Sequence, residues 1–256
     1  MRTLLSLAGY DPSAGAGLLL DLSVFQRLGF HGAGVATALT VQNTLRVRGV
    51  YVVRAAQVDE QYRMLRKDLV LAGLKVGMVG SRQNLRLIGR ILSENANVPR
   101  VIDPVFRASS GAWLLDQKAV PLFLASIRDR ASIITPNLGE ASLLTGIAVK
   151  SQKDIRDAAR MIFDKSGIPC LVKGGHLRGP ITDLLFDGRD FRLYRHPRTS
   201  QSVRGTGCFL SASLLGFLVE GYALERACGL AIGLTLRAIR RARKLGRGPA
   251  VITFPL

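Results

Sequence analysis

The chain has 256 residues, 48% of them hydrophobic, which is enough to bury a sizeable core and excludes a wholly disordered protein. The 36 Lys and Arg residues outnumber the 18 Asp and Glu residues, so the formal net charge is +18 at pH 7. That charge attracts phosphates, nucleic acids and anionic membranes, but it does not determine a fold. The 3 cysteines include no Cys-x-x-Cys pair and are too few for a disulfide framework, which favours a reducing, cytoplasmic location.

The first residues of the chain allow two interpretations. An apolar run at 3–8 follows Arg2 and precedes small residues at 13–16, as in a short signal peptide. Asp11-Pro12 interrupts that pattern, and we interpret the run as a buried first strand that ends in a glycine-rich turn. The uncharged stretch 205–219 falls short of the ~20 residues needed to span a bilayer, so we expect no membrane partner.

Short apolar runs alternate with amphipathic segments, which is typical of an α/β protein with a mostly parallel sheet covered by helices. The segments predicted as strands are 3–8, 34–39, 50–53, 73–79, 100–104, 132–134 and 169–173, followed by a hairpin of 181–186 and 191–194. The segments predicted as helices are 21–28, 58–70, 85–92, 154–164, 206–219 and 223–244, with another helix beginning at 140–144. No linker or repeat divides the sequence, so we predict a single domain over residues 1–256.

Polar clusters follow several predicted strands at the points where the strands run into loops. These clusters are 9–17, Gln42-Asn43, Asp103-Pro104, Asn137 with Glu140, and Lys173-Gly174-Gly175. Ligands of open α/β sheets bind at the carboxyl ends of the strands, so we expect the clusters to share one edge of the sheet.

The strongest local motif is Arg204-Gly205-Thr206-Gly207-Cys208, directly before an apolar helical run. Its glycines allow a tight turn, and its amides would point out of a helix N-terminus as an anion site for a phosphoryl group in transfer. A helix N-terminus can also lower the pKa of a thiol, so Cys208 is a candidate proton acceptor. The alternative is a simple N-cap turn with Cys208 as a small core residue.

Other ligand motifs are weaker. The glycine-rich segment 9–17 fits neither the dinucleotide fingerprint nor a P-loop. The histidines and cysteines show no zinc spacing, whereas Mg²⁺ held largely by phosphates and water would need only one or two carboxylates, for which Glu140 and Asp103 are candidates. The basic residues at 237–247 lack interleaved aromatic residues, so we interpret them as a solvated helix face and expect no nucleic-acid partner.

Taken together, the sequence resembles the hydroxymethylpyrimidine (phosphate) kinases of thiamine biosynthesis, from about Thr3 to Ala227. The motifs that resemble this family occur in family order, and they are 8–17 with Asp21-Leu22, 37–44, Lys75-Val76-Gly77-Met78, Asp103-Pro104-Val105, 135–140, Lys173-Gly174-Gly175-His176 and Gly205-Thr206-Gly207-Cys208. Each motif is weak alone, but together and in order they are specific.

The resemblance implies a three-layer α/β/α ribokinase-like fold and phosphorylation of 4-amino-5-hydroxymethyl-2-methylpyrimidine, and then of its monophosphate, by ATP with Mg²⁺. It also implies a homodimer. The pyrimidine site implied is Gly9, Asp21, Gln42, Met78 and Val105. The implied nucleotide and Mg²⁺ site is Asn137, Glu140, Lys173 and Gly174, with Glu140 organising the metal. The implied anion hole is Gly205, Thr206 and Gly207, with Cys208 as the base.

The sequence departs from the family pattern at three places. Arg204 stands where the family usually has His, no lysine occurs in Ala108-Ser109-Ser110-Gly111, and Ser202-Val203 replaces an Asn-Thr pair. These changes affect contacts at the phosphate, for which Arg204 offers an alternative charge. They leave open a pyridoxal or related vitamin kinase on the same fold, and a catalytically weakened ligand-binding paralogue.

Overall fold

The computed structural model describes residues 1–108, 111–175, 181–199 and 201–254. Its main sheet contains β1 (Thr3–Tyr10), β2 (His31–Gln42), β3 (Val47–Val52), β4 (Leu71–Val76), β5 (Arg100–Ile102), β6 (Ile133–Ile134), β7 (Cys170–Val172), β8 (Ile181–Phe186) and β9 (Phe191–His196). The strand order is β3-β2-β1-β4-β5-β6-β7-β8-β9. Neighbours from β2 to β7 are parallel, whereas β3, β8 and β9 pair antiparallel at the two sides.

The helices are α1 (Gly17–Arg27), α2 (Ala55–Asp68), α3 (Arg82–Glu94), α4 (Phe123–Ile127), α5 (Leu138–Thr145), α6 (Gln152–Ser166), α7 (Thr206–Val219) and α8 (Leu224–Arg240). A short 3₁₀ helix, Gln117–Leu122, precedes α4, and β10 (Val203–Arg204) pairs with β11 (Ala250–Val251) outside the main sheet. Capping boxes fix the starts of α5 and α6, at Asn137 with Glu140 and at Ser151 with Asp154.

Both faces of the sheet are covered because its central strands are apolar on both sides. In β1, Leu4 packs into the core formed with Phe25 of α1 and Leu214 of α7. Its neighbour Leu5 faces the opposite core, which contains Ile88 of α3. The result is the predicted three-layer α/β/α arrangement around a mostly parallel sheet. Within the described part of the chain, no helix has the length and apolar character needed to cross a membrane.

Most elements lie where the sequence placed them. Helix α7 has the predicted bounds, and the predicted hairpin is formed by β8 and β9. Helix α8 ends at Arg240 rather than at 244, because the following residues turn back and Arg243 exchanges backbone hydrogen bonds with Val251. The 3₁₀ helix, α4 and the β10–β11 pair were not predicted.

The strand directions determine where the polar clusters meet. Since β1, β2 and β4 to β7 run parallel, their carboxyl ends lie at one edge of the sheet. Gln42 is the last residue of β2, while Asp103 and Lys173 directly follow β5 and β7. The expected common edge therefore exists, and helix α7 begins beside it.

Candidate active site

A cavity of about 460 Å³ opens at this edge. The predicted site residues that line it are Gly9, Gln42, Met78, Val105, Asn137, Glu140, Lys173, Gly205, Thr206, Gly207 and Cys208. Asp11 and Lys75, which have no site role in the sequence analysis, also line it. The other charged residues in the lining are Asp103, Arg107 and Arg204. A larger depression of about 1240 Å³ adjoins along α5, but the smaller cavity contains the thiol and the glycine turn.

The turn before α7 packs closely against the loop that follows β1. Gly205 has φ +78°, and a Cβ there would lie 2.1 Å from the carbonyl oxygen of Gly15, so only glycine fits. No side chain of the described residues caps α7, and its first backbone bond runs from the Phe209 amide to the Gly205 carbonyl. The amides that open the helix therefore stay available to an anion.

Lys173 places a cation beside this turn. Its ammonium donates to Asp103 Oδ1 at 2.9 Å, and a Cβ added to Gly207 would lie 3.1 Å from Lys173 Nζ. Burial works against the charged form, but Asp103 and Glu140 raise the pKa of Lys173. The lysine is therefore a fixed positive charge next to the glycine turn.

Glu140 is a buried carboxylate held by the capping box of α5. Its Oε2 accepts from the Asn137 amide at 2.7 Å, and the Asn137 side chain accepts from the Glu140 amide at 2.9 Å. Burial raises the pKa of Glu140 to about 7, with Lys173 lowering it and Asp103 raising it. An added cation nearby would stabilise the ionised form of this carboxylate.

A magnesium ion fits this end of the cavity only as a companion of phosphates. Among the described residues, no three His, Cys, Asp or Glu side chains cluster as a metal site. Glu140 and Asp103 both line the cavity beside the glycine turn, and one or two carboxylates suffice for Mg²⁺ that is otherwise bound by phosphates and water. The residues present therefore fit a nucleotide-bound Mg²⁺.

The Cys208 thiol lies in the cavity, but its pKa is not lowered as the sequence suggested. Burial raises the pKa of Cys208 to about 11, and Asp21 and Asp103 add to the effect, whereas Lys75 and the Gly17 amide oppose it. Desolvation of the thiolate outweighs the favourable position at the helix N-terminus. In the free protein Cys208 is therefore a protonated thiol at neutral pH.

Asp21 departs from the predicted pyrimidine site. It is fully buried, with both carboxylate oxygens 2.7 Å from the Lys75 ammonium and Oδ2 accepting from the Ser6 hydroxyl at 2.6 Å. Burial disfavours the charged ammonium, but Asp21, Cys208 and Asp103 raise the pKa of Lys75. The strand residue Lys75 lines the cavity in place of Asp21, which lies behind it. A charged residue inside an apolar strand was the signal for this buried pair.

Gly174 also departs from the prediction. Its amide donates to the buried Asp183 at 2.8 Å, and an added Cβ would lie 2.0 Å from the Thr182 carbonyl oxygen. It is thus committed to the β7–β8 contact, and the next residue, Gly175, lines the cavity instead. Ser109 and Ser110, where the family lysine is missing, and His176 of the Lys173 motif lie outside the described residues.

Gly9, Gln42, Met78 and Arg204 also line the cavity. Gly9 approaches Met78 closely, since a Cβ on Gly9 would lie 2.6 Å from the Met78 sulfur and that flexible side chain would have to shift. The Thr37 hydroxyl donates to the Met78 carbonyl at 2.5 Å and fixes this part of the wall. An apolar side chain, Met78, and an amide side chain, Gln42, thus belong to the same cavity lining, as in sites for small polar ligands.

Known proteins resemble this chain over nearly its whole length. The family model described as "Phosphomethylpyrimidine kinase" matches residues 11–253. The hydroxymethylpyrimidine/phosphomethylpyrimidine kinase of Aquifex aeolicus is 34% identical over 252 residues, which cover 98% of this chain and 99% of the relative.

Two solved structures resemble the fold closely. The phosphomethylpyrimidine kinase of Clostridium difficile 630 is 30% identical with a TM-score of 0.80, covering 93% of this chain and 100% of its own. The pyridoxal kinase of Staphylococcus aureus in complex with pyridoxal is 26% identical with a TM-score of 0.90, covering 99% of this chain and 93% of its own.

Proposed function

The chain belongs to the phosphomethylpyrimidine kinase family, and we propose that it phosphorylates 4-amino-5-hydroxymethyl-2-methylpyrimidine and then its monophosphate with ATP. One observation supports this proposal above the others. The glycine turn, Lys173, Cys208 and Gln42 all line the same cavity at the carboxyl edge of the sheet. That cavity combines a phosphate site with a site for a small polar ring.

The phosphate end of the cavity is Asp103, Glu140, Lys173 and the turn Gly205–Cys208. Phosphoryl transfer depends mainly on positioning and on stabilising charge around the transferred group. We assign these tasks to the α7 amides and the Lys173 ammonium. Mg²⁺ carried by the nucleotide, held near Glu140 and Asp103, would neutralise further phosphate charge.

The ring end of the cavity is Gly9, Asp11, Gln42, Met78 and Arg204. In this proposal the Gln42 amide hydrogen-bonds the polar edge of the pyrimidine, while Met78 packs on its face. Val105, which also lines the cavity, provides a further apolar wall. Asp21 acts indirectly by holding Lys75 in its charged form below the ring.

Cys208 is the proposed proton acceptor for the substrate hydroxyl. The Lys75 ammonium and the Gly17 amide both favour the thiolate form of Cys208. Since the pKa of the thiol is about 11 in the free protein, we expect activity to rise with pH above neutrality.

An ADP-release assay with the pyrimidine alcohol and with its monophosphate tests the function. We expect turnover of both substrates, dependent on ATP and Mg²⁺. Folded protein that turns over neither substrate contradicts the proposal, and turnover of the alcohol alone limits it to the first step.

A pyridoxal kinase is the second candidate, because the pyridoxal-bound Staphylococcus aureus kinase has nearly the same fold. Pyridoxal is also a flat heterocycle with a hydroxymethyl group. Competition between the pyrimidine alcohol and pyridoxal distinguishes the two functions. A kcat/KM for pyridoxal well above that for the pyrimidine would replace the first candidate.

The homodimer remains a prediction. Strand β3 lies at one side of the sheet, and apolar side chains of β2 and β3 are exposed there, among them Leu39, Val41, Tyr51 and Val52. Sedimentation of the purified chain tests it. A species of monomer mass at micromolar concentration would contradict it.

A further inference from the structure

Arg204 lies where three loops around the cavity meet. Its guanidinium donates to Gln42 Oε1 at 2.5 Å and to the Asn43 carbonyl oxygen at 2.8 Å. It also lies 3.2 Å from Asp11 Oδ2, and its side chain is only 13% exposed. One side chain thus connects the loop after β1, the turn after β2 and the glycine turn before α7.

These contacts fix the orientation of the Gln42 amide. A free amide can turn over, presenting either its oxygen acceptor or its nitrogen donor to a ligand. A guanidinium only donates hydrogen bonds, so the oxygen of Gln42 must face Arg204. The amide nitrogen, which has no partner within the described ranges, is then the group left for a ligand.

Asp11 keeps the guanidinium in this position. Its Oδ1 accepts from the Ser13 amide at 2.9 Å and from the Ser13 hydroxyl at 2.7 Å. The other oxygen, Oδ2, is buried without a hydrogen bond and faces Arg204. The carboxylate therefore holds Arg204 by charge, in a place shielded from water where that attraction is strengthened.

We propose that Arg204 is a positioning residue that determines substrate specificity. By holding the oxygen of Gln42, it leaves only a donor for the substrate and selects rings that present an unprotonated nitrogen at that edge. This inference rests on the proposed function, since it takes Gln42 as the group that contacts the ring. A lysine could not replace the arginine, because an ammonium lacks the planar fork that reaches Gln42 and Asn43 together.

Calorimetric binding of three ligands tests the proposal. They are the pyrimidine alcohol and its two analogues in which one ring nitrogen is replaced by C–H. We expect the wild type to bind one of these analogues about 10-fold more weakly than the alcohol, as one lost hydrogen bond predicts. In Arg204→Met the amide can turn over, so this discrimination should fall to about 2-fold.

The Gln42→Glu variant instead removes the hydrogen-bond donor of residue 42. A carboxylate keeps the contact with Arg204 but has no donor for the ring, so its preference between the alcohol and that analogue should reverse. Arg86→Met, an exposed arginine of α3, is the control and should bind all three ligands like the wild type. Undiminished discrimination in Arg204→Met overturns the proposal. The monophosphate is measured in the same way, and a loss of affinity in Arg204→Met confined to it also overturns the proposal, because Arg204 would then be a phosphate contact.

NMR of the ligand-free protein tests the contact between Arg204 and Gln42 independently of the proposed function. The side-chain amide signals of Gln42, identified by their loss in Gln42→Glu, should shift in Arg204→Met and stay in place in Arg86→Met. Unshifted signals in Arg204→Met would show that Arg204 does not hold the Gln42 amide, whatever the substrate. If the signals shift but the wild type binds neither the pyrimidine alcohol nor its monophosphate, the contact between Arg204 and Gln42 stands, and the proposed function and the ring specificity fail.

Discussion

At the phosphate end of the cavity, backbone amides of one turn and side chains at the ends of neighbouring strands lie together because the sheet brings them there. At the ring end, the side chains meet through a contact between Arg204 and Gln42, which are 162 positions apart. The first arrangement depends on backbone geometry and tolerates few changes of shape. The second depends on one guanidinium, so its specificity can change by single substitutions without loss of the fold.

The two ends also differ in their electrostatics. The phosphate end keeps a carboxylate, Glu140, whose burial raises its pKa to about 7, and in the proposed function Mg²⁺ bound with the nucleotide would offset this cost. The ring end instead pairs its buried charge, Asp11, with Arg204 at 3.2 Å. The phosphate end thus holds a carboxylate whose charge can change near neutral pH. The buried carboxylate at the ring end is already paired with a cation.

The largest expected effect is at Cys208, the last residue of the glycine turn at the phosphate end. Cys208→Ala should lower kcat by roughly 10²- to 10⁴-fold, as loss of a general base does. In the wild type kcat/KM should rise about tenfold per pH unit between pH 7 and 10, because only the thiolate accepts a proton and the pKa of Cys208 is about 11. Steady-state rates measured over this range provide the check.

Cys228→Ala is the control for that experiment, since Cys228 is buried in α8 outside the cavity. Its pH profile should match the wild type. A flat wild-type profile, or Cys208→Ala with nearly full activity, would remove Cys208 as the base and leave the anion hole as the main catalytic element.

The next effect tests the electrostatics of the phosphate end. Glu140 binds its proton more tightly in the folded protein, at a pKa of about 7 rather than 4.5, so its contribution to the free energy of unfolding falls as the pH rises from 4.5 to 7. Glu140→Gln keeps an acceptor for the capping box and removes this loss. We expect a stability gain of up to about 3 kcal/mol at pH 8 that vanishes near pH 4.5.

Urea unfolding at several pH values measures this gain. Glu60→Gln, at an exposed position of α2, is the matched control and should show no such trend. A difference between Glu140→Gln and the wild type that does not change with pH would mean that the carboxylate is ionised throughout.

A smaller effect separates the two ends directly. In Gly207→Ala the new Cβ would lie 3.1 Å from Lys173 Nζ and 3.4 Å from Asp103 Oδ2, so it crowds the phosphate end alone. We expect kcat/KM for ATP to fall about 10-fold through weakened charge stabilisation, with the Kd of the pyrimidine unchanged. Gly229→Ala is the control, because its Cβ would be in ordinary contact at 3.5 Å from Tyr194. A weakened pyrimidine Kd with an unaltered ATP dependence would contradict the division into two ends.

The difference between the ends explains what the sequence could predict. The glycine turn, Asn137 with Glu140, and Lys173 are short motifs at strand ends, so local patterns and the direction of the strands locate them. The Arg204 contact with Gln42 joins distant segments that have no shared local pattern. Strand β11 escaped prediction for a similar reason, since its two residues, Ala250 and Val251, are too short to show a period.

The two predicted site residues that do not line the cavity, Asp21 and Gly174, follow the same distinction. Asp21 was assigned to the ring, but its partner Lys75 is 54 positions away, and only the folded sheet shows that both carboxylate oxygens are occupied. Gly174 was assigned to the nucleotide, but Asp183 of the next strand takes its amide. Sequence motifs indicate which residues come near a ligand, whereas tertiary contacts decide which of their atoms remain free.

The smallest expected effect concerns the C-terminal segment, which supports the ring end. The Gly248 amide donates to the Thr44 hydroxyl at 3.2 Å and so ties the segment before β11 to the turn that follows Gln42. Thr44→Val removes this bond with little change of shape and should cost about 1 kcal/mol of stability. The KM of the pyrimidine should rise about 2-fold while that of ATP stays constant, because only the turn after β2 is loosened. Equal changes in both KM values would mean that the C-terminal segment supports the whole cavity rather than its ring end.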